Sequence, residues 1–256
     1  MNETKATTAA AWAHYWAHVE TVDYINITPR LLHTLRQHVP LRGSRILEIG
    51  VGTGGNSATL AQDGATAVAL DLSPEALRRS QATARTMQAA LLPINADAWR
   101  LPFAAASFDL IFHQGVLEHF TDPAPSLREQ ARVLRPGGWL LVDVPQRYNL
   151  YTLHKNRLIR QGRWPYGGWE CSFSLGELRA LLRSVGFTPV AAYGRDYYPR
   201  PWAMLRRLAR VETKLLRRRI LPAAAWRAYG ALWDRFEASP LGCYTLQSIG
   251  VLARKT

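Results

Sequence analysis

The chain has 256 residues, of which 48% are hydrophobic and 20% are charged, so its composition is that of a globular protein. This excludes a disordered, collagen-like or low-complexity chain, and the length suits one large domain. Two cysteines, Cys171 and Cys243, are too few for a disulfide framework or a four-thiolate metal site. Residues 1–10 lack a signal-peptide pattern and no apolar run reaches the roughly 20 residues of a membrane span. We therefore expect a cytoplasmic protein, with membrane association left open.

The formal net charge of +13 is concentrated in the second half of the chain. Residues 1–144 carry 12 Lys and Arg against 13 Asp and Glu, whereas residues 145–219 carry 16 against 4. A break of this kind indicates two tasks on one chain. We expect the neutral half to hold the fold and a cofactor, and the basic segment to meet the partner.

The apolar pattern predicts strands and helices in turn along the chain. Residues 9–39 are predicted to be helical, with a break at Thr28-Pro29, where Thr28 would cap the second helix. The predicted strands are 45–49, 67–71, 91–95, 108–113, 139–144, 187–193 and 244–253. The predicted helices between them are 56–62, 73–90, 126–134 and 174–185. Residues 145–173 are predicted to be irregular.

Near-continuous apolar strands joined by helices are typical of a parallel sheet covered on both faces. We predict a doubly wound, Rossmann-like α/β fold with a seven-stranded, mostly parallel sheet, N-terminal helices and helical insertions. The last strand is expected to be antiparallel, because no ordinary crossover joins the final two strands. The chain, 1–256, is predicted to be a single domain. Its parts are a helical extension (1–44), a cofactor-binding core (45–144), basic aromatic insertions (145–173 and 196–241) and the last strand (242–256).

A glycine-rich loop follows the first predicted strand. Glycines at 50, 52 and 54 permit a tight turn, and the helix after them would direct free amide groups at a ligand. Asp71 ends the next strand, where a carboxylate can accept hydrogen bonds from both hydroxyls of a ribose. These residues predict a nucleoside-bearing cofactor. The loop by itself also fits the dinucleotide pattern G-x-G-x-x-G.

Three further motifs accompany the loop in order: an Asn95-Ala96-Asp97-Ala98 turn, the segment 107–119 containing Leu117-Glu118-His119, and Leu134-Arg135-Pro136-Gly137-Gly138. With Glu48 opening E-x-G-x-G-x-G, this order resembles the class I S-adenosylmethionine-dependent methyltransferases. It is most similar to their small-molecule branch, which includes the ubiquinone-biosynthesis methyltransferases. The resemblance covers residues 45–144 and favours S-adenosylmethionine (SAM) over a nicotinamide.

The resemblance implies a role for each matching position. The residues expected to bind the cofactor are Glu48, Gly50, Gly52, Gly54, Asp71, Leu72, Asp97, Ala98, Gln114 and Gly115. Of these, Asp71 would hold the ribose, Leu72 and Ala98 would flank the adenine, and Asp97 would accept from its amine. The glycines, with Gln114 and Gly115, would contact the methionine half. The resemblance implies methyl transfer to a small aromatic or lipid-like acceptor, at oxygen before nitrogen or carbon.

His119 follows the fourth predicted strand at the rim of the expected pocket, where it could take a proton from a hydroxyl acceptor. Its alternative role is to orient the loop or simply to pack. Some ubiquinone-pathway relatives carry an acid three residues before this Glu-His pair, where this chain has Gly115, so no metal is expected. Arg147, Tyr148 and Tyr166 are candidate acceptor-pocket residues.

Histidines and aromatic residues also recur in the first predicted helix. His14 and His18 stand four residues apart, a spacing that metals use, but no acidic or sulfur ligand accompanies them, so packing is expected. Tyr15 and Trp16 are expected either to lie over the cofactor entrance, as in similar methyltransferases, or to pack in the core.

The basic second half predicts an amphipathic helix at 202–220. It could form a lid over the acceptor, rest on an anionic membrane surface, contact nucleic acid or pack on the domain. We rank the lid first, membrane contact second and RNA third. Two alternatives to a small-molecule enzyme remain open: a methyltransferase-like binding protein without turnover, and an RNA methyltransferase.

Overall fold

The computed structural model describes residues 9–18, 27–163, 170–195 and 223–256. Its helices are α1 (Ala9–His18), α2 (Pro29–His38), α3 (Gly55–Gln62), α4 (Pro74–Thr86), α5 (Ala124–Val133), α6 (Leu150–Arg160), α7 (Leu175–Ser184), α8 (Ala223–Ala238) and α9 (Pro240–Thr245), with a 3-10 turn at Leu117–His119. Its strands are β1 (Arg45–Ile49), β2 (Thr66–Asp71), β3 (Leu91–Asn95), β4 (Phe108–Gln114), β5 (Leu134–Pro145), β6 (Phe187–Arg195) and β7 (Ser248–Lys255).

The seven strands form one sheet in the order β3-β2-β1-β4-β5-β7-β6. Strands β1 to β5 pair in parallel, and β7 lies antiparallel between β5 and β6. This confirms the predicted fold class and the antiparallel last strand. The strand order reverses between β1 and β4, and α/β proteins bind ligands at the carboxyl ends of the strands flanking such a point.

Both faces of the sheet are buried. On β1, the neighbouring residues Ile46 and Leu47 are buried in separate hydrophobic clusters, and Leu110 and Ile111 on β4 divide in the same way. Successive side chains of a strand point to opposite faces, so each cluster fills one side of the sheet. Apolar residues on both sides explain why these strands appear as continuous apolar runs in the sequence.

The predicted last strand, 244–253, begins too early. Tyr244 and Thr245 end helix α9, and the strand itself is Ser248–Lys255. Ser239 caps α9 by accepting a hydrogen bond from the Gly242 amide, and Pro240 occupies the first turn. This local cap outweighs the strand propensity of tyrosine and threonine.

The stretch 145–173 is less irregular than predicted, because it contains helix α6. The Asn149 side chain accepts a hydrogen bond from the Tyr151 amide and so caps α6. Strand β5 also starts earlier than predicted, at Leu134, with a register shift opposite β4. The predicted helix at 202–220 and Tyr166 lie outside the described residues. Among the residues that the structure does describe, every helix is too short or too polar to cross a bilayer.

Gly250 in β7 makes room for a buried aromatic ring. A Cβ at this position would overlap the ring of Tyr193 on the adjacent β6. The Tyr193 hydroxyl donates to Asp143 Oδ2 at 2.8 Å.

We predict that Gly250→Ala lowers the free energy of unfolding by about 1–3 kcal/mol through overpacking. Chemical denaturation measures this change. Gly230→Ala in α8, where a Cβ meets open space, is the control and should be neutral or stabilising. Equal stability of Gly250→Ala and the parent would contradict this packing.

Candidate functional site

A cavity of about 330 Å³ lies at the carboxyl ends of β1, β2 and β4, where the strand order reverses. Every residue that was expected to bind the cofactor lines it, except Gly54, and His119 lines it as well. The other lining residues are Trp12, Tyr15, Trp16, Ile49, Val51, Thr53, Asn56, Leu70, Arg79, Ala96, Val116 and Phe120. The fold therefore gathers positions 48–119, predicted from separate motifs, around one space.

The glycine loop needs residues without side chains for two different reasons. Gly50 has a φ of 68°, and a Cβ there would lie 2.5 Å from Val116 Cγ2, so glycine lets the loop approach the segment after β4. Gly54 has a φ of 76°, and its Cβ would lie 2.7 Å from Ser80 Cβ on α4. Gly54 thus allows the loop to pack on α4, while Gly50 faces the cavity.

Asp71, at the end of β2, is fixed to the glycine loop. Its Oδ2 accepts from the Gly52 amide at 3.2 Å, and its Oδ1 accepts from the Ser73 amide at 2.9 Å. The Asn95 side chain donates to the carbonyl oxygens of Asp71 and Leu72, both at 3.0 Å. Burial raises the pKa of Asp71 above its ordinary value, and the amide donors oppose this. The carboxylate is therefore oriented before any ligand binds.

Glu48 is a second acidic residue that lines the cavity. It is buried, and its Oε2 accepts hydrogen bonds from both the amide and the hydroxyl of Ser57 at the start of α3. Burial raises the pKa of Glu48 to about 8, although the Ser57 hydrogen bonds act in the opposite direction. Near neutral pH this carboxyl is therefore mostly protonated.

Gln114 is oriented by residues from two other elements. Its Oε1 accepts from Thr28 Oγ1 at 2.8 Å and from Asn56 Nδ2 at 3.4 Å. The Thr28 amide donates in turn to Asn56 Oδ1 at 2.8 Å. This network ties the start of α2 to the end of β4. Asp97, on the other side of the cavity, accepts from the Trp99 amide at 3.0 Å.

Helix α1 supplies an aromatic wall. Tyr15 and Trp16 line the cavity, which agrees with the first of the two positions expected for them. Trp12, one helical turn earlier, lines it as well. Arg79 of α4 holds this wall in place, since it donates to the Trp16 carbonyl at 2.9 Å and its guanidinium lies 5.8 Å from the Trp16 ring centre. Trp12 was missed, although its spacing of four residues from Trp16 places both on one helix face.

His119 is buried and stands edge-on to Trp12, with ring centres 4.7 Å apart and planes at 87°. The ring therefore sits between the cofactor motifs and the aromatic wall. His14 is exposed on α1. Within the described ranges, no three His, Cys, Asp or Glu side chains are grouped as a metal ion would require.

Two of the candidate acceptor residues, Arg147 and Tyr148, do not line this cavity. Arg147 donates from Nε and Nη2 to the Ser172 carbonyl, at 3.1 and 2.8 Å, and pairs with Glu177. Tyr148 is 61% exposed, and neither residue lines the cavity. Arg147 thus fastens the segment after β5 to α7. Tyr166 falls outside the part of the chain that the structure describes.

Comparisons with known proteins agree with this geometry. A family model described as "Methyltransferase domain" matches residues 47–142. The chain is 32% identical over 200 residues to a ubiquinone biosynthesis O-methyltransferase of Paracidovorax citrulli, covering 73% of this chain and 82% of the relative. It is 32% identical over 195 residues to 27-O-demethylrifamycin SV methyltransferase of Amycolatopsis mediterranei, covering 73% and 70%. The fold resembles magnesium protoporphyrin IX methyltransferase from Synechocystis with bound S-adenosylhomocysteine (SAH), at a TM-score of 0.63 and 14% identity, covering 97% and 99%.

The chain belongs to the class I SAM-dependent methyltransferases, and it is an enzyme that uses SAM as cofactor. The cavity suits this cofactor. It offers an oriented carboxylate at a strand end, a loop whose backbone is open to a ligand, and apolar side chains at Leu72, Ala98 and Val116.

The raised pKa of Glu48 predicts how stability depends on pH. An acid whose pKa is higher in the folded state contributes stability that is complete below the unfolded pKa and is lost as pH rises through the folded pKa. In the cofactor-free protein, the free energy of unfolding should therefore fall between the ordinary Glu pKa of 4.5 and about 8. Glu48→Gln, which keeps an acceptor for Ser57, should reduce this fall in denaturation curves collected across that range.

Glu129→Gln is the matched control for this measurement, because the Arg132 guanidinium lowers the pKa of Glu129. It should preserve the parent's loss of stability above pH 4.5. Identical pH dependence in Glu48→Gln and the parent would show that Glu48 is not protonated in the folded protein.

Proposed function

We propose that this enzyme transfers the SAM methyl group to a hydroxyl oxygen of a small, aromatic or lipid-like metabolite. The observation that carries the proposal is the placement of His119: a buried imidazole on the cavity that contains the cofactor motifs, against the Trp12 ring. The names of two relatives, a ubiquinone biosynthesis O-methyltransferase and 27-O-demethylrifamycin SV methyltransferase, support transfer to oxygen.

Different lining residues would bind different parts of the cofactor. Asp71 would accept from the ribose hydroxyls, while Leu72 and Ala98 flank the adenine and Asp97 accepts from its amine. The backbone of Gly50 and Gly52, with Gln114 and Gly115, would hold the methionine half. Glu48 would support the loop from the end of β1. Gly54 would serve the packing of the loop rather than contact the cofactor, since a Cβ there meets Ser80.

When bound, the cofactor supplies a methyl group already activated on a positively charged sulfur. The protein would therefore accelerate the reaction mainly by aligning the acceptor oxygen, and a general base would provide the rest of the rate acceleration. A neutral nitrogen of His119 would accept the hydroxyl proton as the oxygen attacks. The edge-on contact with Trp12 would restrain the imidazole, and the aromatic wall of α1 would exclude water.

The walls near His119 support an apolar acceptor. Trp12, Tyr15, Val116 and Phe120 line this side of the cavity and would pack on an aromatic or lipid-like molecule. Arg147 and Tyr148 would contact only a part of the acceptor that extends beyond the cavity, because neither lines it.

Asp71→Ala should weaken SAM binding at least tenfold. Hydrogen bonds to a charged acceptor are worth about 1.5–3 kcal/mol, and 1.4 kcal/mol corresponds to a factor of ten. Isothermal titration with SAM measures the change. Asp63→Ala is the control, because that carboxylate forms only a surface pair with Arg36, and its affinity should equal the parent's. Unchanged affinity in Asp71→Ala would exclude the ribose role.

His119→Ala should leave the Kd for SAM within about twofold of the parent and lower turnover about 10²-fold, as expected for loss of a general base. The dependence of the rate on pH should differ between the parent and His119→Ala, because the variant lacks the proposed base. His154→Ala, an exposed histidine on α6, is the control and should keep the parent's rate and pH profile. A parent-like rate in His119→Ala would remove the base from the mechanism.

Acceptor class can be tested with methyl-labelled SAM and cell extract fractionated by size and polarity. Label should enter a small, apolar molecule as an ether that resists mild alkali, unlike an ester. Label in nuclease-sensitive material would indicate RNA methylation instead. No incorporation into any fraction would contradict the proposal and favour a binding protein.

A further inference from the structure

A buried group of charged side chains stands behind the cavity wall, on the carboxyl side of the sheet. Lys155 of α6 and Glu170 form an ion pair, with Nζ and Oε2 2.6 Å apart and side chains only 2% and 10% exposed. Glu118, in the 3-10 turn after β4, is also buried, and its carbonyl accepts from the Cys171 amide at 2.9 Å. This bond attaches the segment that carries Glu170 to the turn that carries His119.

A second buried ion pair lies on β5 and β6. Arg195 binds Asp143 through two hydrogen bonds, Nε to Oδ2 at 2.8 Å and Nη2 to Oδ1 at 2.9 Å, and Tyr193 donates to the same carboxylate. In each of the pairs Lys155–Glu170 and Arg195–Asp143, one positive charge balances one negative charge. Glu118 is thus an additional acid in this group, and its Oε2 has no hydrogen-bond partner among the described residues.

The position of Glu118 links this additional acid to the cofactor site. Its Oε1 lies 3.6 Å from the point where a Cβ on Gly115 would stand. Gly115 and His119 both line the cavity, at the end assigned above to the methionine half. The other buried acid, Glu48, is already engaged by two donors of Ser57. Buried polar atoms in proteins are normally paired. Glu118 is a buried carboxyl whose Oε2 has no described partner and whose Oε1 is close to Gly115 on the cavity wall, which indicates that the ligand completes its surroundings.

We propose that Glu118 is the buried counter-charge of the positively charged sulfur of SAM: protonated in the cofactor-free enzyme, and ionised when SAM is bound. A lone carboxylate in a low-dielectric interior is costly, whereas one paired with a cation across a thin wall is stabilised. SAH, which lacks the charge on sulfur, would leave Glu118 protonated. The side chain need not touch the cofactor, because the interaction is electrostatic.

The surroundings of Glu118 are consistent with this exchange. Burial and the neighbouring Glu170 raise its pKa to about 8, Asp143 acts in the same direction, and Lys155 opposes them. Cys171 stays a neutral thiol, because burial and Glu118 raise its pKa to about 12. Among the described residues, Lys155 and Arg195 are both held in ion pairs, so SAM would bring an additional positive charge to Glu118.

This assignment has a consequence for catalysis, which rests on the proposed transfer to oxygen. In that transfer the S–CH₃ bond would break with its electron pair left on sulfur, the O–CH₃ bond would form, and His119 would accept the hydroxyl proton. Positive charge disappears from sulfur and appears on the imidazole. Glu118, adjacent to His119 in the chain, would balance the first charge before transfer and the second after it.

The test is proton release on cofactor binding, which needs no acceptor and is therefore independent of the acceptor proposal. Calorimetry of SAM and SAH binding at pH 7.5, in buffers of different ionisation enthalpy, gives protons released per ligand. A carboxyl with a pKa near 8 is about three-quarters protonated at this pH, so SAM should release up to about that fraction more protons from the enzyme than SAH. Protons from the ligands' own amino groups appear equally in every variant and cancel on comparison.

Glu118→Gln should abolish the enzyme's part of this difference and weaken SAM about tenfold relative to SAH. Glu129→Gln, which removes a carboxylate paired with Arg132 on α5, should retain both parent values. Parent-like proton release and a parent-like ratio of SAM to SAH affinity in Glu118→Gln would overturn the proposal.

A second measurement uses the unmodified enzyme, in case Glu118→Gln does not fold. Infrared difference spectra should show loss of a protonated-carboxyl C=O band when SAM binds but not when SAH binds. Proton loss from Glu48 caused by the amino-acid part of the ligand would be common to both and would cancel. Identical carboxyl bands with the two ligands would contradict the assignment.

Discussion

The hydrogen bond between the Asp71 carboxylate and the Gly52 amide is the interaction on which this site depends. It joins the end of β2 to the loop after β1, at the edge of the sheet where the strand order reverses. Parallel pairing aligns these two strand ends, and the absence of side chains at Gly50 and Gly54 lets the loop close against Val116 and α4. Because the acid and the loop hold each other, the proposed ribose site is formed before any cofactor binds.

Elements outside the sheet complete the site that Asp71 and the glycine loop form. Helix α1 contributes Trp12 and Trp16, and the Arg79 guanidinium fastens it to α4. Thr28, at the start of α2, fixes the amide of Gln114. The catalytic proposal depends on these additions, because the imidazole of His119 stands against Trp12 of α1. The sheet would then provide cofactor binding, and the N-terminal helices would provide the dry environment for transfer.

Charge balance connects the cofactor to the buried acids around it. Burial raises the pKa values of both Glu48 and Glu118 to about 8, so both carboxyls are mostly protonated at neutral pH in the cofactor-free enzyme. A cationic cofactor would supply the positive charge that favours the ionised form of these carboxyls. Loss of that positive charge when the methyl group leaves would also favour exchange of product for a new cofactor, since the neutral product interacts less with ionised acids.

The sequence alone determined the fold class, and all but one of the positions that it assigned to the cofactor line the cavity. Strand periodicity and glycine turn chemistry are local, and motifs at the ends of parallel strands must meet at one edge of the sheet. Local signals also decided some boundaries against propensity, as at Ser239 before α9, where a cap outweighed strand-forming residues.

Only the tertiary structure decided which distant side chains reach the site. Arg79 lies on α4 and Thr28 precedes α2, and no local pattern encodes their approach to the site. The same holds for Arg147, which fastens a segment to α7 instead of lining the cavity. Among the described residues, the absence of a hydrogen-bond partner for Glu118 Oε2 likewise became visible only in the structure, because burial and ion pairing are properties of the packed molecule rather than of any one segment.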